Sequence, residues 1–151
     1  MISFEHFTPT DGMPIYQQIL LYIERGAAAG TITDGDELPS RRYLSALLGI
    51  NPNTVQKAFR LLEEAGLVES RTGAKSVMTL EPEKLEYLKS QLLAEDMKGI
   101  VRALKQTGVT KEQALQMVEF YWDSREDLST RGNGAQGAAS DVSEDQGGDA
   151  K

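Results

Sequence analysis

The chain has no cysteine. That excludes disulfides, thiol catalysis and cysteine-based zinc sites at once, and it fits a reducing cytoplasm. Histidine is nearly absent too. The only one, His6, lies in the N-terminal lead-in and reads as a surface or packing residue. With it go metal clusters built on His and Cys and any Ser/His/Asp set, and no phosphate-cradling glycine loop stands in their place. Adjacent acids such as Glu63 and Glu64 read as solvated rather than catalytic. No enzyme chemistry, cofactor or metal is therefore expected. Long apolar runs are missing, so no segment is expected to cross a bilayer. The N-terminus has no basic region followed by an apolar stretch, so no secretory signal is expected.

What remains is the composition of a globular protein: 151 residues, 40% hydrophobic and 26% charged. The net charge is −7, and its distribution is uneven. Residues 40–75 carry six cations (Arg41, Arg42, Lys57, Arg60, Arg71 and Lys75) against Glu63, Glu64 and Glu69. Residues 81–151 carry nine basic and fourteen acidic side chains. A basic segment inside an acidic chain suits a nucleic-acid-binding module joined to an assembly segment, although the excess of three charges is weak evidence by itself.

Punctuation divides the chain further. Residues 1–13 are a mixed lead-in. Residues 14–80 alternate apolar-periodic runs with Gly and Pro. Residues 81–127 read as helix, broken once near Thr107 and Gly108. Residues 128–151 hold five glycines and only two large aliphatics, Leu128 and Val142. They cannot bury enough apolar surface to offset ordering, so a disordered tail is expected there. The expected domains are 1–80, 81–127 and the tail 128–151.

A first helix is expected from Pro14, with Tyr16, Ile19, Leu20, Ile23 and Ala27 on a 3.6-residue period and Gly30 as its stop. A loop from Thr31 to Pro39 leads to Ser40, a good N-cap. The second helix spans about 41–48, points Leu44, Leu47 and Leu48 inward and stops at Gly49. The third has Asn51 at its N-cap and Pro52 at its first helical position. Val55, Ala58, Phe59 and Leu62 form its apolar face, and Gly66 ends it. Only Gly49, Ile50 and Asn51 separate the second and third helices, the signature of a helix-turn-helix. Two β-like runs follow, Leu67 to Ser70 and Ser76 to Leu80, around a loop with Gly73 and two cations. Three helices and a hairpin make a winged helix, so the expected fold is mainly α with a small β wing.

Opposite the apolar face of the third helix stand Asn53, Lys57 and Arg60, with Gln56 on the flank and Thr54 beside it. Amides suit adenine, and cations suit guanine or the backbone. The N-terminal part of such a helix lies in the major groove, which adds its cap residue, Asn51, to the expected DNA contacts. A plain solvated face would show the same residues, and the helix-turn-helix context favours the DNA reading. Ser40, Arg41 and Arg42 open the second helix, where exposed N–H groups and arginine favour a phosphate. In the wing, Arg71, Thr72, Gly73 and Lys75 can reach an adjacent groove; an ordinary exposed turn fits them nearly as well. Residues 84–104 set Leu85, Leu88, Leu92, Met97, Ile100, Val101 and Leu104 at three- and four-residue steps. Leu115, Val118, Tyr121 and Trp122 repeat the pattern. Two such helices must pack on the winged helix, on each other or on a second chain, and a dimer interface is favoured because two half-sites call for two copies.

The blocks Pro14 to Ile19, Gly35 to Ser40 with Arg42, Asn51 to Phe59, Leu62-Glu63 and Gly66 to Val68 resemble the GntR family of bacterial regulators. The Asn-Pro-Asn-Thr-Val segment (51–55) and the short C-terminal region look like its YtrA-like subfamily. The resemblance covers residues 14–80. It implies a winged helix, a homodimer built through C-terminal helices, and binding to palindromic operators. It also implies repression, often of transporter operons. Its DNA contacts carry over onto Arg42, Asn53, Thr54, Gln56, Lys57 and the wing at Thr72 and Gly73. Two departures stand out. Pro52 occupies a position where other branches place arginine, and Gly73-Ala74-Lys75 lacks the second wing glycine common in the family. The region after residue 80 is too short for the large effector domains of other branches, including the aminotransferase-like domain of one of them. A small-molecule effector between the winged helix and the C-terminal helices stays open, with no residues assigned. The competing expectation is a winged-helix protein-interaction module without DNA binding, suggested by the acidic net charge and tail.

Overall fold

A computed structural model describes residues 1–73 and 75–124. The expected tail, 128–151, and the helical expectation for 125–127 lie outside the described residues. In chain order the elements are α1 (Ile15–Ala29), β1 (Glu37–Leu38), α2 (Arg41–Leu48), α3 (Pro52–Glu64), β2 (Val68–Arg71), β3 (Lys75–Met78), α4 (Pro82–Gln106) and α5 (Lys111–Asp123). The first 106 residues form one compact unit, and a second begins at Thr107. The expected fold, helices with a small β wing, is the one observed.

α1 buries Ile19, Ile23 and Ala27, one stripe at four-residue steps. α3 faces it with Val55, Ala58, Phe59 and Leu62, none more than 1% exposed. Leu44 of α2 completes the helical side of the core. Leu38, Leu67, Val68, Met78 and Leu80 close it from the sheet side. Pro14 serves as the N-cap of α1 rather than its first residue, and Gly30 ends the helix at φ 78°. Before α1, the Gln18 side chain ties down the chain by accepting from Thr10 N–H (2.8 Å) and donating to the carbonyls of Thr10 (2.8 Å) and Met13 (2.7 Å).

Several elements differ from the sequence expectation. The loop before Ser40 contains β1, which pairs antiparallel with β3 and gives a three-stranded sheet of order β1-β3-β2. Two residues are too few to show alternation, so this strand exists only through its partner. β2 and β3 each sit within one or two residues of the expected runs, in the register Val68↔Met78 to Arg71↔Lys75. The lead-in is partly core: Ile2 and Phe4 are buried, and Ile2 N–H donates to the Glu37 carbonyl at 2.8 Å. Phe4 and Phe7 pack their rings against Tyr22 of α1. Leu47, expected inward, is 44% exposed. One four-residue step carries Leu44 to Leu48 on the same face and leaves Leu47 on the flank. Ser45 takes the second buried place, its hydroxyl donating to the Ile50 carbonyl at 2.7 Å.

α4 is 25 residues long, about 37 Å. Its first turns dock on the core: Leu85 and Leu88, expected in a dimer interface, pack partly buried against this chain's own apolar cluster. Further along, Arg25 of α1 and Asp96 of α4 form a two-bond ion pair, both bonds 2.9 Å. The guanidinium holds the Asp96 carboxyl below the usual carboxylate range. Glu24, next to Arg25, shifts the other way: burial pushes its carboxyl up and Arg25 only partly offsets this. Beyond Asp96 the helix exposes Met97, Ile100 and Val101, with Leu93 just before it. α5 starts with a capping box between Thr110 and Gln113. By itself it exposes Leu115, Met117, Val118, Phe120, Tyr121 and Trp122. No helix among the described residues is long and apolar enough to cross a membrane.

Two outcomes follow from this packing. Phe59→Ala should cost about 3–5 kcal/mol, the loss for truncating a buried aromatic, read as a lower denaturant midpoint. Asp96→Asn should cost under about 1 kcal/mol, because the pair is solvent-accessible. Asp96 has a lowered carboxyl in the folded chain, so its contribution is complete above the unfolded value of 3.8 and fades as pH falls through the folded value. Thermal melts of the parent and Asp96→Asn proteins should therefore converge at strongly acid pH.

Candidate nucleic-acid interface

The helix-turn-helix is held by short-range contacts. Ser40 sits in extended backbone before α2, and its hydroxyl accepts from Tyr43 N–H at 3.1 Å. Gly49 turns the chain at φ 63°, a left-handed conformation costly to other residues, and its N–H returns to the Ser45 carbonyl. The Asn51 side-chain oxygen accepts from Asn53 N–H at 2.8 Å, and Pro52 opens α3 where a missing N–H costs nothing. Asn51, expected among the DNA contacts, thus uses its carbonyl oxygen as a cap and keeps only its NH₂ for a ligand. Because Val55, Ala58, Phe59 and Leu62 are buried, the opposite face of α3 has to be solvent-facing. Asn53, Gln56, Lys57 and Arg60 are exposed there, and Thr54 is half-buried at its edge.

The cations around this face divide into two groups. Arg42 at the start of α2 and Arg71 at the end of β2 are exposed and make no ion pair among the described residues. The others have intramolecular partners. The Lys57 ammonium lies 4.0 Å from the centre of the Tyr16 ring, bridging α3 to α1. Arg60 has Glu64 one turn away at 3.7 Å, a solvated pair of little energetic weight. Lys75 faces Glu37 across the sheet at 3.3 Å. Arg41 is turned inward: its guanidinium sits 5.5 Å over the Phe59 ring, and Nη2 reaches Glu63 Oε1 at 3.3 Å. The same Glu63 oxygen accepts from the Ser70 hydroxyl of β2. In the wing, Thr72 and Gly73 are exposed and Gly73 has φ 93°, while Ala74 lies outside the described residues. No cluster able to hold a metal ion occurs among the described residues.

Comparison with known proteins settles the class. Residues 15–76 match the family of bacterial regulatory proteins named gntR. Over 108 residues the chain is 33% identical to the HTH-type transcriptional regulator YhcF of Bacillus subtilis, spanning 72% of this chain and 89% of that protein. It is 36% identical over 90 residues to the HTH-type transcriptional repressor YtrA of the same organism, spanning 56% and 69%. A solved GntR family transcriptional regulator from Listeria monocytogenes superposes with a TM-score of 0.67 at 29% identity, covering 74% of this chain and 98% of that one. The chain belongs to the GntR family. As a GntR regulator it is a DNA-binding transcriptional regulator, and its relatives are regulators rather than enzymes.

Sequence reading of this GntR chain found the elements of the interface and missed some of their supports. Tyr16 was placed on the core face of the first helix, yet its half-buried ring also carries Lys57. Glu63 was taken for a solvated acid, yet it joins α2, α3 and β2. Neither partnership leaves a local trace, since Tyr16 and Lys57 are 41 positions apart in the sequence. Arg41 is expected beside Arg42 as a phosphate ligand; in the structure its guanidinium lies over Phe59 and beside Glu63, whereas Arg42 is exposed.

Asn51→Ala should remove the cap of α3 and cost about 1 kcal/mol. The check is a thermal melt of the full chain, with Asn51→Ser expected to recover most of the loss.

Proposed function

We propose that this GntR regulator binds a palindromic operator as a homodimer and represses the genes it controls, with a transporter operon as the favoured target. One observation carries the reading. The first turns of α3 are fixed from behind by a buried apolar face and from below by the Asn51-Pro52 cap, and their exposed side carries Asn53, Gln56 and Lys57. Pre-positioned amides of this kind suit adenine edges in a major groove. Ser40 and Arg42 at the start of α2 take a phosphate, and Arg71, Thr72, Gly73 and Lys75 lie along the neighbouring backbone or groove. The held ammonium of Lys57 serves the backbone at the edge of α3, as does Arg60. Residues 1–80 are then the DNA-binding domain and 81–127 the assembly region, acting in the cytoplasm where the operator is.

Dimerisation is favoured by apolar surface that a lone chain leaves in water. Met97, Ile100 and Val101 of α4 and Leu115, Val118 and Trp122 of α5 are each at least 39% exposed. Leu92 and Leu104 lie half-buried beside the α4 set. A two-fold dimer buries the same patch on both copies, which an inverted repeat in DNA mirrors. Repression is supported by the name of YtrA, a transcriptional repressor. A bound dimer across a promoter excludes the polymerase, so occupancy alone suffices.

Selection from a random duplex pool tests the reading. Enrichment of an inverted repeat is expected. With Arg42, Lys57 and Arg60 facing the backbone on each copy, log affinity should fall against log salt with a slope of about −5, and more steeply with each wing cation that also meets a phosphate. Lys57→Glu should abolish binding while lowering stability only by about the 0.5–1 kcal/mol of the lost contact with Tyr16. Asn53→Ala should relax one base preference per half-site by about 1–3 kcal/mol. A folded dimer that enriches no repeat, or a Lys57→Glu protein that binds as well as its parent, would sink the operator reading.

A further inference from the structure

We propose that Glu63 sets the sequence-blind part of DNA binding without touching DNA: by holding Arg41 it withholds a cation from the phosphate backbone. The inference rests on the operator reading above, and specifically on the start of α2 lying at a phosphate.

Arg41 is the first residue of α2, between Ser40 and Arg42. A free arginine there would reach the same stretch of backbone as Arg42. Phosphate contacts strengthen binding to every duplex alike and carry no sequence information. An additional one per copy would raise affinity for every duplex and hold more of the protein on DNA of any sequence. The structure turns this side chain away. Its guanidinium stacks on Phe59 and meets Glu63 at 3.3 Å, and the two charged side chains are only 35% and 32% exposed. Partial burial shields the pair from salt more than a surface pair.

What restrains Arg41 is chiefly the charge on Glu63. The contact is a single 3.3 Å approach rather than a fork, and the buried Arg41 Nε has no hydrogen-bond partner among the described residues. The Phe59 ring orients the stem but has no net charge to neutralise. Glu63 is itself positioned, because its Oε1 also accepts from Ser70 of β2. One carboxylate at the end of α3 thus binds the start of α2 and the first wing strand. Removing its charge while keeping its shape should leave Ser70 a partner and set Arg41 free.

The test compares the full chain with Glu63→Gln, Arg41→Met and the double variant. Each is titrated against its selected duplex and a random duplex over a salt series. Glu63→Gln should bind random duplex about threefold more tightly at low salt, with a slope steeper by about 1 per copy. Its affinity for the selected duplex should rise by a similar factor. Arg41→Met keeps an unbranched stem over Phe59 and should stay within about twofold of the parent on both duplexes. In the double variant the non-specific gain should vanish. A gain that persists in the double variant, a Glu63→Gln protein with no gain on random duplex, or an Arg41→Met protein that loses several-fold affinity would each overturn the proposal. Arg41→Met decides the matter even if Glu63→Gln does not fold. A parent chain that selects no duplex overturns the operator reading instead, before these variants are compared.

Discussion

The burial of one face of α3 against α1 is the constraint from which the rest of this molecule follows. Val55, Ala58, Phe59 and Leu62 meet Ile19, Ile23 and Ala27, and nothing in that contact is exposed beyond 1%. A helix fixed by a close-packed face has no freedom to roll, since packing at interior density tolerates only small displacements. Its other face is therefore presented in one orientation. Preorganisation of Asn53 and Gln56 comes from methyl groups on the far side of the helix rather than from the polar residues themselves. The same packing carries the turn before α3, because Leu44 of α2 joins the cluster and Gly49 and Asn51 only bend and cap the backbone between them.

α4 divides its length between two tasks. Leu85 and Leu88 extend the core of the winged helix, and the Arg25–Asp96 pair adds a second tether two turns beyond Leu88. The pair contributes little energy because both side chains are about half in water. Its two-bond geometry still favours one direction for the helix, which matters if a second copy meets the outer turns. In the proposed dimer, an apolar stripe that begins in the core and continues into solvent would link the placement of α3 in one copy to its distance from α3 in the other.

Local signals made much of this legible. Ser40, Gly49 and the Asn51-Pro52 pair each act on backbone within a few residues, so the sequence spells out the helix-turn-helix almost residue by residue. The buried faces of α1 and α3 are legible because 3.6-residue periodicity is a property of the segment itself. β1 is not, since Glu37 and Leu38 become a strand only when β3 pairs with them. Ile2 and Phe4 read as scattered apolar residues because their burial depends on Tyr22 and the Glu37 carbonyl, far along the chain. Leu47 failed on a finer point: an eight-residue helix has room for one inward row, and Leu44 and Leu48 fill it. The candidate site divides the same way. Its exposed polar residues were readable by elimination from the apolar face, whereas the partners of Arg41, Lys57 and Lys75 lie on other elements and were not.

Those partners bear on how an acidic chain can recognise an acidic polymer. With a net charge of −7, long-range attraction to DNA is weak, and contact has to come from a small number of placed cations. A larger uncompensated patch would hold the protein on any duplex. Here Arg41 and Lys75 have carboxylate partners, Lys57 is held on an aromatic ring, and Arg42 and Arg71 are left without ion pairs. On the proposed reading, the free cations at the start of α2 and on the wing strand set register on a backbone, and the amides of α3 discriminate between bases. On the proposed reading, intramolecular neutralisation keeps the sequence-blind part of the binding energy small, so that a larger share of it depends on sequence.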